Sequence, residues 1–152
     1  MSIKIVYDSM FGNTELVAQR IAEALAKDHV VDLRRVAEAR PEDLRSGDVL
    51  IVGSPTQGGR PTPALAGYLA NLTEEQVEGL HVAAFDTRVR ARWVVVFGFA
   101  ANRLIRSLQR RGAVLLAPGE GFYVSGKEGP IMAGELDRSA SWAAGLRVPA
   151  AH

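Results

Sequence analysis

The chain has 152 residues, a formal net charge of +1 and no cysteine. That length suits one domain with a substantial core. Without cysteine there are no disulfides, thiolate metal sites or thiol chemistry, and near-neutral charge leaves no footprint for nucleic acid. At 47% hydrophobic and 23% charged, the composition is that of a water-soluble globular protein. No apolar run reaches the roughly 18–20 residues that crossing a bilayer requires, so no membrane partner is expected. The first strand begins almost at once, which leaves no room for a signal peptide, and a cytoplasmic location is the default. His29, His81 and His152 are scattered without ligand-like spacing, so no metal site is expected.

In chain order, Ile3–Tyr7 is a short apolar run that predicts a buried strand. Thr14–Lys27 has the period of an amphipathic helix. Val30–Val36 alternates less cleanly and suits a strand near the sheet edge, and Pro41–Leu44 predicts a short helix with proline in its first turn. Asp48–Gly53 is a continuous apolar run, the mark of a strand covered on both faces. A helix is predicted over Thr62–Leu72, where Pro63 is tolerated in the first turn.

Leu80–Phe85 predicts the fourth strand. Phe99–Arg111 has helical spacing at Leu104, Ile105 and Leu108, with Gly112 as its stop. Ala113–Leu116 and Phe122–Val124 read as two pieces of a last strand around the Pro118-Gly119 turn, and Gly134–Leu146 as the closing helix. Five strand–helix units without repeat or linker predict a single domain over 1–152, of class α/β, with a doubly wound parallel sheet.

Ligands of such sheets bind at the carboxyl ends of the strands. Three loops are expected there: Asp8–Thr14, Ser54–Pro61 and Asp86–Gly98. The first, Ser9-Met10-Phe11-Gly12-Asn13-Thr14, lies between a strand and a helix start. Unpaired helix N–H groups and the positive dipole end favour an anion there, and the Ser9, Asn13 and Thr14 side chains add donors. Gly12 permits close approach and a positive φ. A phosphate-bearing ligand follows from this reading. On local geometry alone an ordinary N-cap at Asn13 or Thr14 stays open. The turn is neither a Walker A loop nor a dinucleotide fingerprint. The second loop, Gly53-Ser54-Pro55-Thr56-Gln57-Gly58-Gly59-Arg60-Pro61, reads as a ligand loop mainly because it shares the rim with the first.

On these residues the chain resembles the short-chain flavodoxin family. Tyr7–Glu15 is similar to the family's FMN phosphate loop, Ser/Thr-x-Thr-Gly-x-Thr, with Phe11 in place of the middle hydroxyl. Gly53–Gly59 is similar to its second flavin loop, often Gly-Ser-Pro-Thr-Tyr-Gly-Gly. The resemblance spans nearly the whole chain. It implies a five-stranded parallel sheet of order 2-1-3-4-5 in three α/β/α layers, FMN as cofactor, and electron transfer to an unidentified redox protein with no catalytic residue.

It also implies that Ser9, Met10, Phe11, Gly12, Asn13 and Thr14 cradle the phosphate, Phe11 through its N–H. Pro55, Thr56, Gln57, Gly58 and Gly59 would flank the ring. Asp86, Thr87, Arg88 and Trp93 of the third loop complete the implied set. Gln57 stands where the family commonly has a stacking aromatic, and Asp86–Trp93 lacks its usual Tyr-Gly element. Members of the family are strongly acidic and dock on basic partners, which this near-neutral chain does not repeat.

Trp93-Val94-Val95-Val96-Phe97-Gly98-Phe99 has three readings: a flavin wall at Trp93, a buried structural segment, or a patch covered by a partner or a second subunit in a homodimer. Arg88, Arg90 and Arg92 alternate with period two and, with Arg60, read as solvated charge. Two alternatives keep the fold: a cofactor-free interaction module acting through residues 93–99, and an FMN-dependent reductase. A response-regulator receiver is set aside, because no aspartate ends the third strand.

Overall fold

The computed structural model describes residues 2–90 and 99–150. Its centre is β3 (Val49–Pro55), buried from Val49 through Ser54. β1 (Ile3–Tyr7) and β4 (His81–Val89) pair with it in parallel, β2 (Val31–Arg35) forms the edge beyond β1, and β5 (Val114–Leu115) lies beyond β4. The strand order is 2-1-3-4-5. Side chains alternate between two cores, as the strand period of two requires. Ile3, Ile5, Val49, Ile51, Ala83 and Phe85 face α1 (Asn13–Leu25) and α5 (Glu135–Ala144). Val6, Leu50, Val52, Val82 and Ala84 face α2 (Pro63–Ala70) and α4 (Ala100–Arg110). Among the described residues no helix is long and apolar enough to cross a membrane.

The last strand is in two pieces. β5 pairs with His81 and Val82, and β6 (Glu120–Val124) pairs with Phe85–Val89 further along β4. This makes β4 nine residues long, four beyond the apolar run at its carboxyl end, because Asp86–Val89 gain a parallel neighbour that no local pattern reveals. β3 likewise runs on through Ser54 and Pro55, opposite Asp86 and Thr87. Arg88 is therefore a strand residue and not wet charge.

The expected helix over Thr62–Leu72 is found as α2, slightly shorter at both ends. Thr62 caps α2, its side chain accepting from Leu65 N–H at 3.4 Å. A second short helix, α3 (Glu74–Val77), has its own capping box between Thr73 and Gln76.

Two glycines hold space for side chains. A Cβ at Gly53 would lie 2.1 Å from the Phe85 ring, which packs edge-on against Phe122 and Trp142 at 6.4 and 6.3 Å. A Cβ at Gly121 would lie 2.0 Å from Arg88 Nε. The pair lets β4 pack against its neighbours without gaps.

Glu135, in the first turn of α5, ties that helix to β6 by accepting Tyr123 N–H at 2.8 Å, and it accepts Arg138 Nε of its own helix at 2.9 Å. The Arg138 guanidinium holds its carboxyl below the ordinary 4.5, against burial and with help from Tyr123 N–H. A depressed carboxylate stabilises above the unfolded pKa, and the contribution is lost as pH falls through the folded one. Glu135→Gln is therefore expected to cost about 1–2 kcal/mol at pH 7 in urea unfolding. The gap to wild type should close as pH falls below the ordinary glutamate value. A gap unchanged at pH 3 would mean that the charge is not what stabilises the junction.

Candidate functional site

A cavity of about 630 Å³ opens at the carboxyl edge of the sheet. The first loop contributes Ser9, Met10, Phe11, Asn13 and Thr14 to its wall, and the second contributes Pro55, Thr56, Gln57, Gly58 and Gly59. Thr87, Arg88 and Val89 come from the end of β4, and Val124 and Lys127 from the end of β6 and the turn after it.

Gly12 turns the first loop at φ +89° and is the N-cap of α1, without a capping side chain of its own. The cap comes from upstream instead. Ser9 Oγ accepts Gly12 N–H at 3.1 Å and Glu15 N–H at 3.3 Å, which leaves its own proton to donate. Among the described residues the N–H groups of Phe11, Asn13 and Thr14 meet no acceptor. Open amides at the start of a 13-residue helix, on a cavity wall, form an anion cradle.

The loop is braced from behind. Arg35, at the end of β2, donates to Ser9 O at 3.1 Å and to Glu15 Oε2 at 3.1 Å, and Tyr7 donates to Glu15 Oε1 at 3.0 Å. Burial, then the Glu15 bond, raises the Tyr7 phenol above its ordinary value, so it stays a donor. Thr14 and Thr87 share a buried hydrogen bond at 2.8 Å, which stitches the helix start to β4.

The second loop is a tight turn in which Gln57 and Arg60 exchange backbone hydrogen bonds of 2.8 and 3.0 Å. Gly58 and Gly59 both have positive φ, +56° and +80°, a type I′-like turn that disfavours side chains at either position. Thr56 N–H donates to Thr87 O at 2.9 Å, fixing the turn to the strand end.

The third loop's residues part company. Thr87 and Arg88 reach the cavity, whereas Asp86 is fully buried away from it. Asp86 accepts Arg88 Nε at 2.6 Å, Arg88 Nη2 at 2.8 Å and Ala101 N–H at 2.9 Å. Burial pushes its carboxyl up, and the Arg88 fork and Ala101 N–H pull against that. The Arg88 guanidinium lies 3.5 Å from the Phe99 ring centre, on the space left by Gly121. Asp86 is thus a structural anchor, a role that the flanking sequence does not signal. Trp93 and the 93–98 part of the apolar segment lie outside the described residues. Among the described lining residues the aromatic is Phe11, 47% exposed at the rim beside Met10.

Val124 and Lys127 are the contributors that sequence reasoning missed. The signal was present: β6 is parallel, so the turn after it shares the rim with the other three loops. That turn presses on the cradle, since a Cβ at Gly129 would lie 2.6 Å from Asn13 Oδ1. Among the described residues no cluster of His, Cys, Asp or Glu has the makings of a metal site.

The flavodoxin family model matches residues 5–141. The chain belongs to the flavodoxin family. The flavodoxin of Klebsiella pneumoniae is 29% identical over 130 residues, covering 84% of this chain and 73% of that protein. Oxidised Flavodoxin 2 from Bacillus cereus superposes with a TM-score of 0.75 at 27% identity, covering 94% of this chain and 95% of the other. A flavodoxin from the domain Archaea reaches 0.78 at 18% identity over 95% and 94% of the two chains, a likeness of fold. For a flavodoxin, the donor set fits the phosphate end of FMN: open amides, the Ser9 hydroxyl and the exposed ammonium of Lys127. The wall beyond, with Met10, Pro55, Val89 and Val124, offers the apolar surface that a flat ring requires.

Proposed function

We propose that the protein is an FMN-binding electron-transfer flavodoxin in which the cavity residues hold the cofactor, acting as one domain in the cytoplasm. The observation that carries this reading is the row of open amides at the start of α1, on the wall of a cavity that both flavin-type loops also line. When bound, FMN supplies the electron chemistry. The chain's own residues bind and orient. Phe11, Asn13 and Thr14 donate backbone N–H groups to the phosphate, with the Ser9 hydroxyl beside them. The Gln57–Arg60 turn would hold the ring edge, with a backbone group of Gly58-Gly59 available to flavin N5. Met10, Pro55 and Val89 keep water from the ring. The electrons pass to another redox protein, as the family membership supports. The cofactor-free module and the reductase are not favoured.

Titration of the purified protein with FMN should quench flavin fluorescence to a saturating one-to-one end point. No quenching at high micromolar FMN would defeat this reading. Gln57→Tyr is expected to tighten binding about fivefold, since a stacked aromatic is worth about 1 kcal/mol beyond its area. Unchanged affinity in that variant would place the ring away from this turn.

A further inference from the structure

Charge is segregated along this chain. Between Asp86 and Arg111 it carries seven arginines and a single carboxylate, Asp86, although the whole chain is only +1. The remainder is therefore net acidic. Of the seven, Arg88 pairs with Asp86, Arg90 lies 5.2 Å from the Tyr123 ring centre, and Arg111 pairs with Glu74 at 2.9 Å while donating to Leu69 O at 2.7 Å. The helix α4 carries three more of them. Its inner face packs Ala101, Leu104, Ile105 and Leu108 into the core, and Arg103, Arg106 and Arg110 are exposed on the outer face.

No acidic residue occurs on that helix. Like charges three and four residues apart cost a helix a few tenths of a kcal/mol each, and a cation in the first turns opposes the dipole. Arg110, in the last turn, is favoured by the dipole, but helix stability does not favour the like-charge spacing of Arg103, Arg106 and Arg110. Among the described residues neither Arg106 nor Arg110 pairs with a carboxylate.

The row begins at the cavity. Ala100 N–H donates to Thr56 Oγ1 at 3.2 Å and Ala101 N–H to Asp86, so the first turn of α4 abuts the second loop. Arg60, exposed, stands in that loop. At 1.5 Å per residue, Arg106 and Arg110 lie about 9 and 15 Å along the axis from Ala100. An interface of ordinary size, about 800 Å² on each partner, spans both the row and the cavity mouth.

We propose that the outer face of α4, with Arg60, is the docking surface for an electron-transfer protein whose own docking face is acidic. The inference rests on the cavity's being the flavin site, because that is where an electron leaves. Complementary charge would steer the partner to the cavity mouth. A single stripe on a chain that is otherwise net acidic suits an acidic protein face better than a continuous polyanion, which the acidic remainder would repel.

The test uses one redox protein with its charge reversed: basic cytochrome c and the same protein with its lysines succinylated. By titration calorimetry at low ionic strength, the succinylated form should bind about tenfold or more tighter, a preference that salt near 1 M abolishes. Arg106→Glu/Arg110→Glu should reverse the preference, and Arg106→Gln/Arg110→Gln should erase it without reversal. In stopped flow, the reduced FMN-loaded protein should give one electron to each ferric haem, making it ferrous, faster for the succinylated form. Equal binding of the two forms, preference for the basic form, or indifference to the substitutions would overturn the proposal. So would a DNA duplex that binds as tightly and displaces the acidic protein. Binding needs no flavin, so selective binding without haem reduction would count against the flavin reading alone.

Discussion

Asn13→Asp is expected to weaken FMN binding about a hundredfold while leaving riboflavin binding and the fold unchanged. Asn13 is the first residue of α1 and lines the cavity beside the open amides. The substitution is nearly isosteric, so packing against Gly129 survives. It places a carboxylate where the phosphate dianion would sit. Two unit charges about 4 Å apart near a protein surface interact by about 4 kcal/mol before screening. About 3 kcal/mol in salt corresponds to the hundredfold loss.

Helix energetics run the other way, because an acidic residue in the first turn interacts favourably with the dipole. Thermal stability without flavin should therefore hold or rise slightly, which separates a site effect from a folding effect. Fluorescence titration with both flavins decides the matter. Parallel weakening of FMN and riboflavin would show that the phosphate does not lie at this helix start.

The second large effect concerns stability. Asp86→Ala would leave the Arg88 guanidinium, 11% exposed between Phe99 and Gly121, without a counter-charge. Removing one member of a buried pair costs about 3–5 kcal/mol, because the survivor stays desolvated and unpaired. Ala101 N–H at the start of α4 would lose its acceptor as well. The Tm should fall by roughly 10 °C for a domain of this size. Replacing both partners, Asp86→Ala with Arg88→Met, should recover at least half of the loss, since no charge is then left buried. A single variant that loses less than about 1 kcal/mol in urea unfolding would mean that the pair is solvated and that β4 does not depend on it.

The first loop was legible because its signal is local. Ser9, Gly12, Asn13 and Thr14 lie within six positions between a period-two run and a period-3.6 run, and that juxtaposition puts amides at a helix start. Even so, the choice between an N-cap and a cradle lay in side-chain geometry that residue types do not reveal. It turned on Ser9 Oγ, which takes Gly12 N–H and Glu15 N–H and leaves Asn13 and Thr14 open. The second loop was legible through Gly58 and Gly59, whose positive φ values few other residues accept. Asp86 and Arg88 were misjudged for the opposite reason. Their chemistry depends on Gly121, Phe99 and Ala101, each more than ten positions away.

By itself, then, the sequence determined the order of strands and helices, the two-sided burial of β3, and the two loops that carry the family's motifs. These follow from periodicity, turn chemistry and backbone freedom, all properties of a few neighbouring residues. Tertiary structure alone decided that β6 pairs with β4 beyond Phe85, that Asp86 and Arg88 neutralise each other inside the sheet edge, and that the first turn of α4 abuts the second loop at the cavity rim. Each of these requires two distant segments to be placed side by side. The free energy that places them comes from burial and pairing across the sheet, which no local window of residues contains.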